Sequence, residues 1–458
     1  MASQAMLDSL PQQWQLPTTT LLVLVKLLLP VLSILLAAAG ARRRRRRLPP
    51  GPARLPILGN LHQLAAGALP HRTLRDLSRR HGPVMALRLG TVPAVVVSSA
   101  AAARDVLRTH DADCCSRPDT PGPRRLSYQH NDVAFSPYSE QWRERRRLMV
   151  VEFLNKRRIQ DTWHAREAEL GKLIGKLAAA GDGREEPVLL EEHVFAYMDG
   201  IVGTVAFGSI YGAEHFKYKK EHFHRVVDDA MVVRSSFCAE DYFPNALGRL
   251  ADRLTGVAAL RERVFWEFDG FFEMMLQHHL DPSRVKPENG CGLIDVLIGL
   301  MKEQRFSRDV VKALLTNTFI GAVDTGAVTI MWAMAELVRN PHILKKVQAE
   351  IRAVVGNKER VQQDDVPQLR YLKMVVMETL RLHPALPLLV PREALRPMKI
   401  AGYDVPAKTR IFVNAWAIGS HPTIWDHPEE FNPDLGPPGG VQPGEVRRGG
   451  CELQPGAV

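Results

Sequence analysis

The stretch from Ser307 to Asn340 constrains this chain more than any other. Ser307 is a residue type that caps a helix N-terminus, Asp309 suits the first helical turn, and Asn340 followed by Pro341 ends a helix. The pattern therefore predicts a helix of about 32 residues and about 48 Å. Few folds accommodate so long a helix unless the rest of the chain packs around it.

The middle of this helix is apolar on nearly every side, at Phe319, Ile320, Val323, Val328, Ile330 and Trp332. A helix that is apolar all round is buried in a core or a membrane. A membrane span is excluded because Asn317, Asp324 and Glu336 interrupt the apolar run. We therefore expect a buried helix at the centre of a globular domain.

The segment Gly321–Gly326 lies at the middle of this helix and holds an acid, Asp324, beside a hydroxyl, Thr325. Glycine and a buried carboxylate are both costly in a helix core. One interpretation is a helix opened at Gly321, with Thr325 turned inward to make a polar notch. The other is a continuous helix in which Thr325 bonds back to a backbone carbonyl.

Composition places the chain among globular proteins with one large core or two smaller ones, since 45% of its 458 residues are hydrophobic. The net charge is +10, but six of these charges form the run Arg42–Arg47 and no nucleic-acid motif accompanies them. We expect no nucleic-acid partner. The five cysteines show no CxxC pair, which is typical of a reduced compartment rather than a disulfide framework.

The N-terminal region predicts a membrane anchor. Residues 21–39 are apolar and just long enough to span a bilayer, whereas a cleaved signal peptide would carry its positive charges before the apolar stretch. The arginines that follow favour a cytosolic location for the rest of the chain and a lumenal one for residues 1–20. Residues 40–60 form a basic, proline-rich hinge.

Helical periodicity dominates the remaining sequence, with a small β portion. Strands are predicted at Val84–Leu89 and Ala94–Val97, joined as a hairpin, and at Lys399–Ile400 and Thr409–Val413. Helices are predicted at Gln141–Phe153, Arg157–Ala180, Leu190–Phe207, Glu221–Val232, Leu254–His279, Leu293–Gln304, Ile343–Val355 and Tyr371–Leu382. The expected fold class is mainly α.

Two further patterns hold candidate functional residues. Glu378 and Arg381 lie three residues apart on a helix with apolar flanks, which predicts a buried ion pair; such a pair usually needs a third partner. Trp142 and Arg146 lie one turn apart, and an indole N–H beside a guanidinium suits a carboxylate ligand. Arg143 and Arg145 are expected on a solvated basic face.

These motifs, together with the segment Leu48–Asn60 and Phe431–Asp434, resemble those of membrane-anchored plant cytochromes P450, in that family's order and spacing from about residue 20 to residue 434. The resemblance implies the P450 fold over 61–434, a haem b cofactor, and electrons from NADPH through NADPH-cytochrome P450 reductase. It also implies a single-pass protein of the endoplasmic reticulum membrane. The implied activity is monooxygenation of a small aromatic metabolite, such as an aldoxime in cyanogenic glucoside synthesis.

The resemblance also assigns roles to residues. Asp324 and Thr325 match the family's catalytic acid–alcohol pair, which delivers protons to iron-bound dioxygen, although Ala322 and Gly326 replace commoner residues. Trp142 and Arg146 match the helix that binds the haem propionates. Arg117 and Arg392 match two further propionate contacts.

The chain departs from the family pattern after Asp434. The family's loop Phe-x-x-Gly-x-Arg-x-Cys-x-Gly, which supplies the haem thiolate, is not found, and 435–458 is rich in glycine and proline and predicted to be disordered. Cys451 lacks the expected flanking residues, so we do not expect it to bind iron. Leu435 stands where the third partner of the Glu378–Arg381 pair is expected. Two interpretations follow: a haem-thiolate monooxygenase, or a truncated and inactive membrane-anchored remnant.

Overall fold

The computed structural model describes residues 47–65, 69–152, 154–155, 160–181, 188–212, 217–235, 237–284 and 292–435. The predicted anchor, the predicted lumenal segment and almost all of the predicted tail lie outside these residues. The chain divides into two units, 1–48 with 402–404, and 49–401 with 405–458. In the first unit, the backbone N–H of Arg47 donates to Asp404 Oδ2 at 2.8 Å, and the Arg47 guanidinium lies 5.5 Å from the centre of the Tyr403 ring.

The second unit is mainly helical. Its first helices are α1 (Leu61–Ala65), α2 (Pro70–His81), α3 (Ala100–Arg104), α4 (Asp111–Cys114), α5 (Pro121–Leu126), α6 (Glu140–Glu152), α7 (Trp163–Gly181), α8 (Leu190–Phe207) and α9 (Lys217–Ser235). They are followed by α10 (Ala239–Tyr242), α11 (Ala246–Leu254), α12 (Val257–Leu280), α13 (Leu293–Lys302), α14 (Arg308–Arg339), α15 (Pro341–Val355), α16 (Arg370–Leu382) and α17 (Ala415–Gly419). The predicted helices are confirmed to within a few residues, except that Arg157–Ala180 corresponds to a helix that begins at Trp163.

The central helix α14 spans 32 residues, as predicted, and the Ser307 side chain accepts a hydrogen bond from the Val310 N–H at its start. Its first half is buried in an aromatic cluster where Phe319 contacts Phe207, Phe223 and Phe272. Its second half is less enclosed. The prediction that Trp332 is buried was wrong, because 40% of this residue is exposed.

Among the described residues, α14 alone has the length and apolar composition of a membrane span. Its packing is that of a core helix, because α8, α12, α13 and α16 all contact it. Phe319, Ile320 and Val323 are buried against these neighbours. The interpretation of this stretch as a core helix rather than a membrane span agrees with that packing.

The strands are β1 (Val84–Leu89), β2 (Val92–Val97), β3 (Arg392–Glu393), β4 (Met398–Ile400), β5 (Tyr403–Val405) and β6 (Arg410–Val413). The hairpin of β1 and β2 is confirmed, with the turn at Gly90 and Thr91. The order β1-β2-β6-β3 makes one sheet, in which β2 and β6 are parallel. The sheet therefore joins segments that lie about 300 residues apart in the sequence, a pairing that the local pattern does not predict.

The proline-rich segment lies along β1 instead of forming a free linker. The carbonyl of Pro50 accepts the Ala86 N–H at 2.7 Å, and the Asn60 N–H donates to the Arg88 carbonyl at 2.6 Å. A Cβ added at Gly51 would lie 2.0 Å from the Ala86 carbonyl oxygen, so only glycine allows this close approach. Residues 49–60 are thus part of the globular unit.

Candidate functional site

Three arginines predicted to bind the cofactor lie close enough to affect one another. The pKa of Arg117 falls to about 10, chiefly because the side chain is buried and then because the positive charges of Arg392 and Arg146 face it. These residues come from three separate parts of the chain: Arg117 follows α4, Arg146 lies on α6 and Arg392 starts β3. The fold therefore gathers a basic cluster that the sequence shows only as isolated motifs.

Backbone carbonyls hold Arg117 in place. Its Nε donates to the Ala134 carbonyl at 3.0 Å, and Nη1 donates to the carbonyls of Val390 and Pro391 at 3.2 Å each. Arg392 donates to the Val106 carbonyl at 3.3 Å and to Asp111 Oδ1 at 2.6 Å. Asp111 supplies one negative charge to a cluster of three positive charges.

On α6, Arg146 lies 5.3 Å from the Trp142 ring centre, a cation–π contact. The Trp142 indole N–H donates to the Val133 carbonyl at 2.8 Å, so in this geometry it orients the ring and does not point to a carboxylate. Arg143 is exposed beside Glu140, as expected. The expectation for Arg145 was wrong: this side chain is half-buried and donates to the His130 carbonyl and to Asn131 Oδ1.

The helix α14 is continuous through Gly321–Gly326, so the expectation of an opened helix was wrong. Thr325 Oγ1 donates to the Gly321 carbonyl at 2.7 Å, which is the second of the two interpretations. Asp324 and Thr325 are half-buried, and a Cβ added at Gly321 would meet nothing within 4 Å. Open space therefore lies next to this part of α14, on the turn that precedes the acid–alcohol pair.

The predicted ion pair is confirmed as buried and bidentate. Arg381 Nε and Nη2 donate to Glu378 Oε2 and Oε1 at 2.7 Å each. The partners that complete the pair are backbone groups: Arg381 also donates to the carbonyls of Gly419, Pro428 and Glu430, and Glu378 Oε1 accepts the Asn432 N–H. These backbone groups therefore complete the hydrogen bonds of the pair, although Leu435 stands where a third charged partner was expected.

Sequence reasoning missed two groups of polar residues on α14. Asn317 bonds to the segment around Asp132, which lies 185 residues away. Glu336 is buried and within 2.8 Å of His383 Nε2, whose ring stacks on Trp332 with centres 3.8 Å apart. In the sequence, Asn317 and Glu336 are visible only as polar residues within an apolar helix, and that pattern does not predict which residues they contact.

The residues of this site fit a haem. A haem carries two carboxylates, and arginine forms charge-assisted hydrogen bonds with carboxylates. Added negative charge would stabilise Arg117, which is buried and faces the positive charges of Arg392 and Arg146, while Asp111 and Asp132 are the acids that already lie near the cluster. In the described part of the chain, no atom lies within 4 Å of a Cβ added at Gly321, so no neighbouring element packs on α14 at that point. Among the described residues no cluster of three or more metal-ligating side chains is found, and Cys451 lies outside them, so the expectation for Cys451 stays a prediction.

Comparison with known proteins identifies the family. The family model described as cytochrome P450 matches residues 49–434. The chain is a cytochrome P450. The P450 is similar to the 4-hydroxyphenylacetaldehyde oxime monooxygenase of Sorghum bicolor, with 59% identity over 392 residues that make up 84% of this chain and 73% of the relative.

Other relatives agree with this assignment. The 2-methylbutanal oxime monooxygenase of Manihot esculenta is 47% identical over 84% of this chain and 75% of its own length. A zebrafish cytochrome P450 solved with progesterone has the same fold, with a TM-score of 0.67, 24% identity, and coverage of 80% of this chain and 83% of that one. The predicted fold class, a mainly α P450 fold with a small β portion, is confirmed.

As a member of this family, the P450 is a monooxygenase with a haem cofactor. Its electrons come from NADPH through a redox partner. Plant representatives of the family are typically membrane-bound. The relatives give no support to the alternative of an inactive remnant.

Proposed function

We propose that this P450 oxidises a small aromatic aldoxime, as a step in cyanogenic glucoside synthesis. The observation that carries the proposal is the 59% identity to an enzyme named for 4-hydroxyphenylacetaldehyde oxime. The Manihot relative is named for an aliphatic oxime, so two relatives share the oxime group and differ in the side chain. The oxime is therefore the constant part of the proposed substrate, and the aromatic ring is the part that the shape of the cavity selects.

Arg117, Arg146 and Arg392 are the residues proposed to hold the two haem carboxylates. Arginine forms strong charge-assisted hydrogen bonds with carboxylates, and these strengthen when water is excluded. Trp142 orients Arg146 through the cation–π contact. The buried pair of Glu378 and Arg381 is proposed to hold the surrounding backbone in place.

Asp324 and Thr325 are proposed as the proton-delivering pair. Bound haem would supply the activation of dioxygen, a reaction that consumes protons. Thr325 Oγ1 carries a proton that it now donates to the Gly321 carbonyl, and rotation about χ1 would redirect it toward the open space. Asp324, which is half-buried, is proposed to replace that proton by relaying one from solvent to Thr325, while the apolar residues around α14 exclude water from other routes.

The proposed organisation places 1–20 in the lumen, 21–39 across the endoplasmic reticulum membrane and 40–60 as a hinge whose residues 49–60 pack along β1. Residues 61–434 form the rest of the cytosolic domain, and 435–458 form a tail. Exposed leucines on α11 support a location next to the membrane: Leu247, Leu250 and Leu254 are 74%, 51% and 79% exposed. The turn at Gly90 and Thr91 bonds to Leu58 and to Tyr242, the last residue of α10, so the end of the hinge lies on the same side.

NADPH-cytochrome P450 reductase is the proposed electron donor. Its docking surface would include the exposed arginines Arg143 and Arg147 of α6. A basic face steers an acidic partner and raises the association rate at low salt. Electron transfer that slows as salt increases would agree with this arrangement.

The substrate proposal is tested with the membrane-embedded full chain, the reductase and NADPH. We expect 4-hydroxyphenylacetaldehyde oxime to be consumed faster than 2-methylbutanal oxime, with product followed by mass spectrometry. The absorption spectrum of the reduced, CO-bound protein shows whether haem is bound and what ligates it, since a band at about 450 nm is this family's signature of a thiolate ligand. A protein that retains no haem, or consumes neither oxime, would contradict the proposal.

The proton-delivery proposal is tested with Thr325→Ala. We expect NADPH use to continue while hydrogen peroxide rises and product falls, because dioxygen is reduced without a controlled proton supply. Thr318→Ala is the matched control, since Thr318 Oγ1 also donates to the carbonyl four residues earlier, Leu314, at 2.9 Å. Unchanged coupling between NADPH and product in Thr325→Ala would exclude the role.

A further inference from the structure

The segment Asp132–Ser136, between α5 and α6, connects the basic cluster to α14. We call it the bridging segment. Its Val133 carbonyl accepts the Trp142 indole N–H at 2.8 Å, and its Ala134 carbonyl accepts Arg117 Nε at 3.0 Å. Adjacent carbonyl groups of one short segment thus position Arg117, proposed to bind a propionate, and Trp142, which orients Arg146.

The side chain of Asn317 holds the other side of the bridging segment. Asn317 Oδ1 accepts the N–H groups of Val133 and Ala134 at 3.0 and 3.1 Å, and Asn317 Nδ2 donates to Asp132 Oδ2 at 2.9 Å. Two N–H donors on one side and a carboxylate on the other fix the orientation of the amide. Asparagine, with one acceptor and one donor group, matches this arrangement.

Asp132 completes the contact from within a buried site. The residue is fully buried, and its carboxylate also accepts from Ser136 Oγ at 2.7 Å and from the Phe135 N–H at 3.1 Å. Burial raises the pKa of Asp132, while these donors and Asn317 favour the charged form. Removing one donor from a buried carboxylate is costly, so the contact with Asn317 is specific.

Asn317 lies on the same face of α14 as the proposed proton-delivering pair. Residues at i, i+4, i+7 and i+8 share one face of a helix, and these positions are Asn317, Gly321, Asp324 and Thr325. The amide is one turn from Gly321, whose carbonyl accepts the Thr325 hydroxyl. One side chain therefore connects the face that carries Asp324 and Thr325 to the segment that positions Trp142 and Arg117.

We propose that Asn317, paired with Asp132, is a positioning residue for the basic cluster. It fixes Arg117, which is proposed to bind a propionate, and Trp142, which orients Arg146, relative to the Asp324–Thr325 face of α14. This inference rests on the proposed function and deepens it. Asn317 touches no reacting atom; it acts through Val133 and Ala134, whose carbonyls hold the two side chains.

The hydrogen-bond pattern allows a test by exchange of the two residues. In Asn317→Asp two carboxylates face each other. In Asp132→Asn only one acceptor oxygen remains at 132, so it cannot accept from both Asn317 Nδ2 and Ser136 Oγ, and each single variant therefore loses at least one hydrogen bond of the contact. In the double variant, Asp at 317 accepts the N–H groups of Val133 and Ala134, and Asn at 132 donates to it while its oxygen accepts from Ser136 and Phe135. The number of hydrogen bonds and the net charge are restored.

Amide hydrogen exchange of the full chain without added haem gives the first measurement. We expect each single variant to raise exchange about tenfold in peptides covering 131–137 and also in those covering 140–147, and the double variant to return both toward the values of the unchanged chain. Thr318→Ala, next to Asn317, should change neither. An effect confined to 131–137 would overturn the positioning role, because Trp142 would not have responded.

Titration with haemin, followed by the change in haem absorbance, gives the second measurement. The single variants should bind haemin about tenfold more weakly, and the double variant should recover most of this loss. Failure of the unchanged chain to bind haemin would count against the proposed function while leaving the exchange measurement decisive for Asn317. Should a single variant fail to fold, the double variant decides: it must fold with the original exchange pattern, and its failure to do so overturns the proposal.

Discussion

At the scale of single residues, the Glu378–Arg381 pair shows how a short motif acquires meaning only from its surroundings. An exposed Glu and Arg three residues apart stabilise a helix by less than about 1 kcal/mol. Here the two side chains are 7% and 6% exposed, and the five N–H groups of the guanidinium face a carboxylate and three carbonyls. Those carbonyls belong to Gly419, the last residue of α17, and to the loop residues Pro428 and Glu430, which lie 38 to 49 positions after Arg381. The pair therefore holds the segment after α17 against α16.

We predict that Arg381→Leu destabilises the P450 by about 3–5 kcal/mol, because it leaves a buried carboxylate without its counter-ion. The matched control is Arg143→Leu, which removes the arginine of an exposed pair with the same spacing, Glu140 and Arg143, whose side chains are 86% and 59% exposed. That variant should change stability by less than about 1 kcal/mol. Denaturant unfolding followed by circular dichroism measures both, and equal losses would contradict this account.

A second prediction at this scale concerns pH. Burial raises the pKa of Asp241 to about 6, although the charge of Arg410 opposes the shift. The folded state then binds a proton that the unfolded chain releases near pH 4, so this group's contribution to stability falls as pH rises from about 4 to about 6. Asp241→Asn should remove this slope. Unfolding free energies measured at several pH values should converge for the two proteins below about pH 4 and separate above it; parallel curves would exclude the effect.

At the scale of elements, the limits of α14 were predictable because its caps and its apolar content are local properties. Its exposure was not. Trp332 has the same apolar character as Phe319, yet it is 40% exposed, whereas Phe319 is fully buried in the aromatic cluster. Which side of a long helix is covered depends on elements that are distant in sequence. The same reason explains why Asn317 was noted only as an interruption of the apolar run, since its partner, Asp132, precedes it by 185 residues.

The short helix α11 has two distinct faces, and this leads to a prediction about the membrane. Gly248 and Asp252 are buried, whereas Leu247, Leu250 and Leu254 are exposed next to Arg249 and Arg253. Such a helix lies at a bilayer surface with leucines in the acyl region and arginines at the headgroups.

We therefore predict that lipid protects the three exposed leucines of α11 from reaction with hydroxyl radicals. After correction for intrinsic reactivity, their reaction rate should be lower by about fivefold or more in lipid nanodiscs than in detergent-free denatured protein. Val338 on α14 is 67% exposed and serves as the internal control, which should keep most of its reactivity. Equal protection of Val338 and the leucines would indicate general burial, and no protection of the leucines would place α11 away from the membrane.

At the scale of the whole molecule, the sheet closes the fold by joining distant parts of the chain. Val95 of β2 pairs with Ile411 of β6, and Ile411 also pairs with Arg392 of β3. Arg392, the first residue of β3, is one of the three arginines of the basic cluster. Asn414, directly after β6, donates to the His71 carbonyl of α2 at 2.8 Å. Contacts between residues so far apart carry a loop-closure entropy cost that local contacts do not, so the rest of the fold must supply the stabilisation that offsets it. The position of Arg392 in the site thus depends on the last strand of the sheet.

This dependence can be measured with Ile411→Ala. Ile411 is 1% exposed, and truncating a buried isoleucine costs about 2–5 kcal/mol. Because β2 and β6 are neighbours in one sheet, we expect faster amide exchange in β1 and β2 as well as in β6, although β1 and β2 lie more than 300 residues earlier. Val338→Ala, an exposed truncation, should leave all three strands unchanged. Acceleration limited to β6 would mean that the hairpin is stable without its parallel neighbour, and Arg392 would then be positioned by its contacts with Asp111 and Val106 alone.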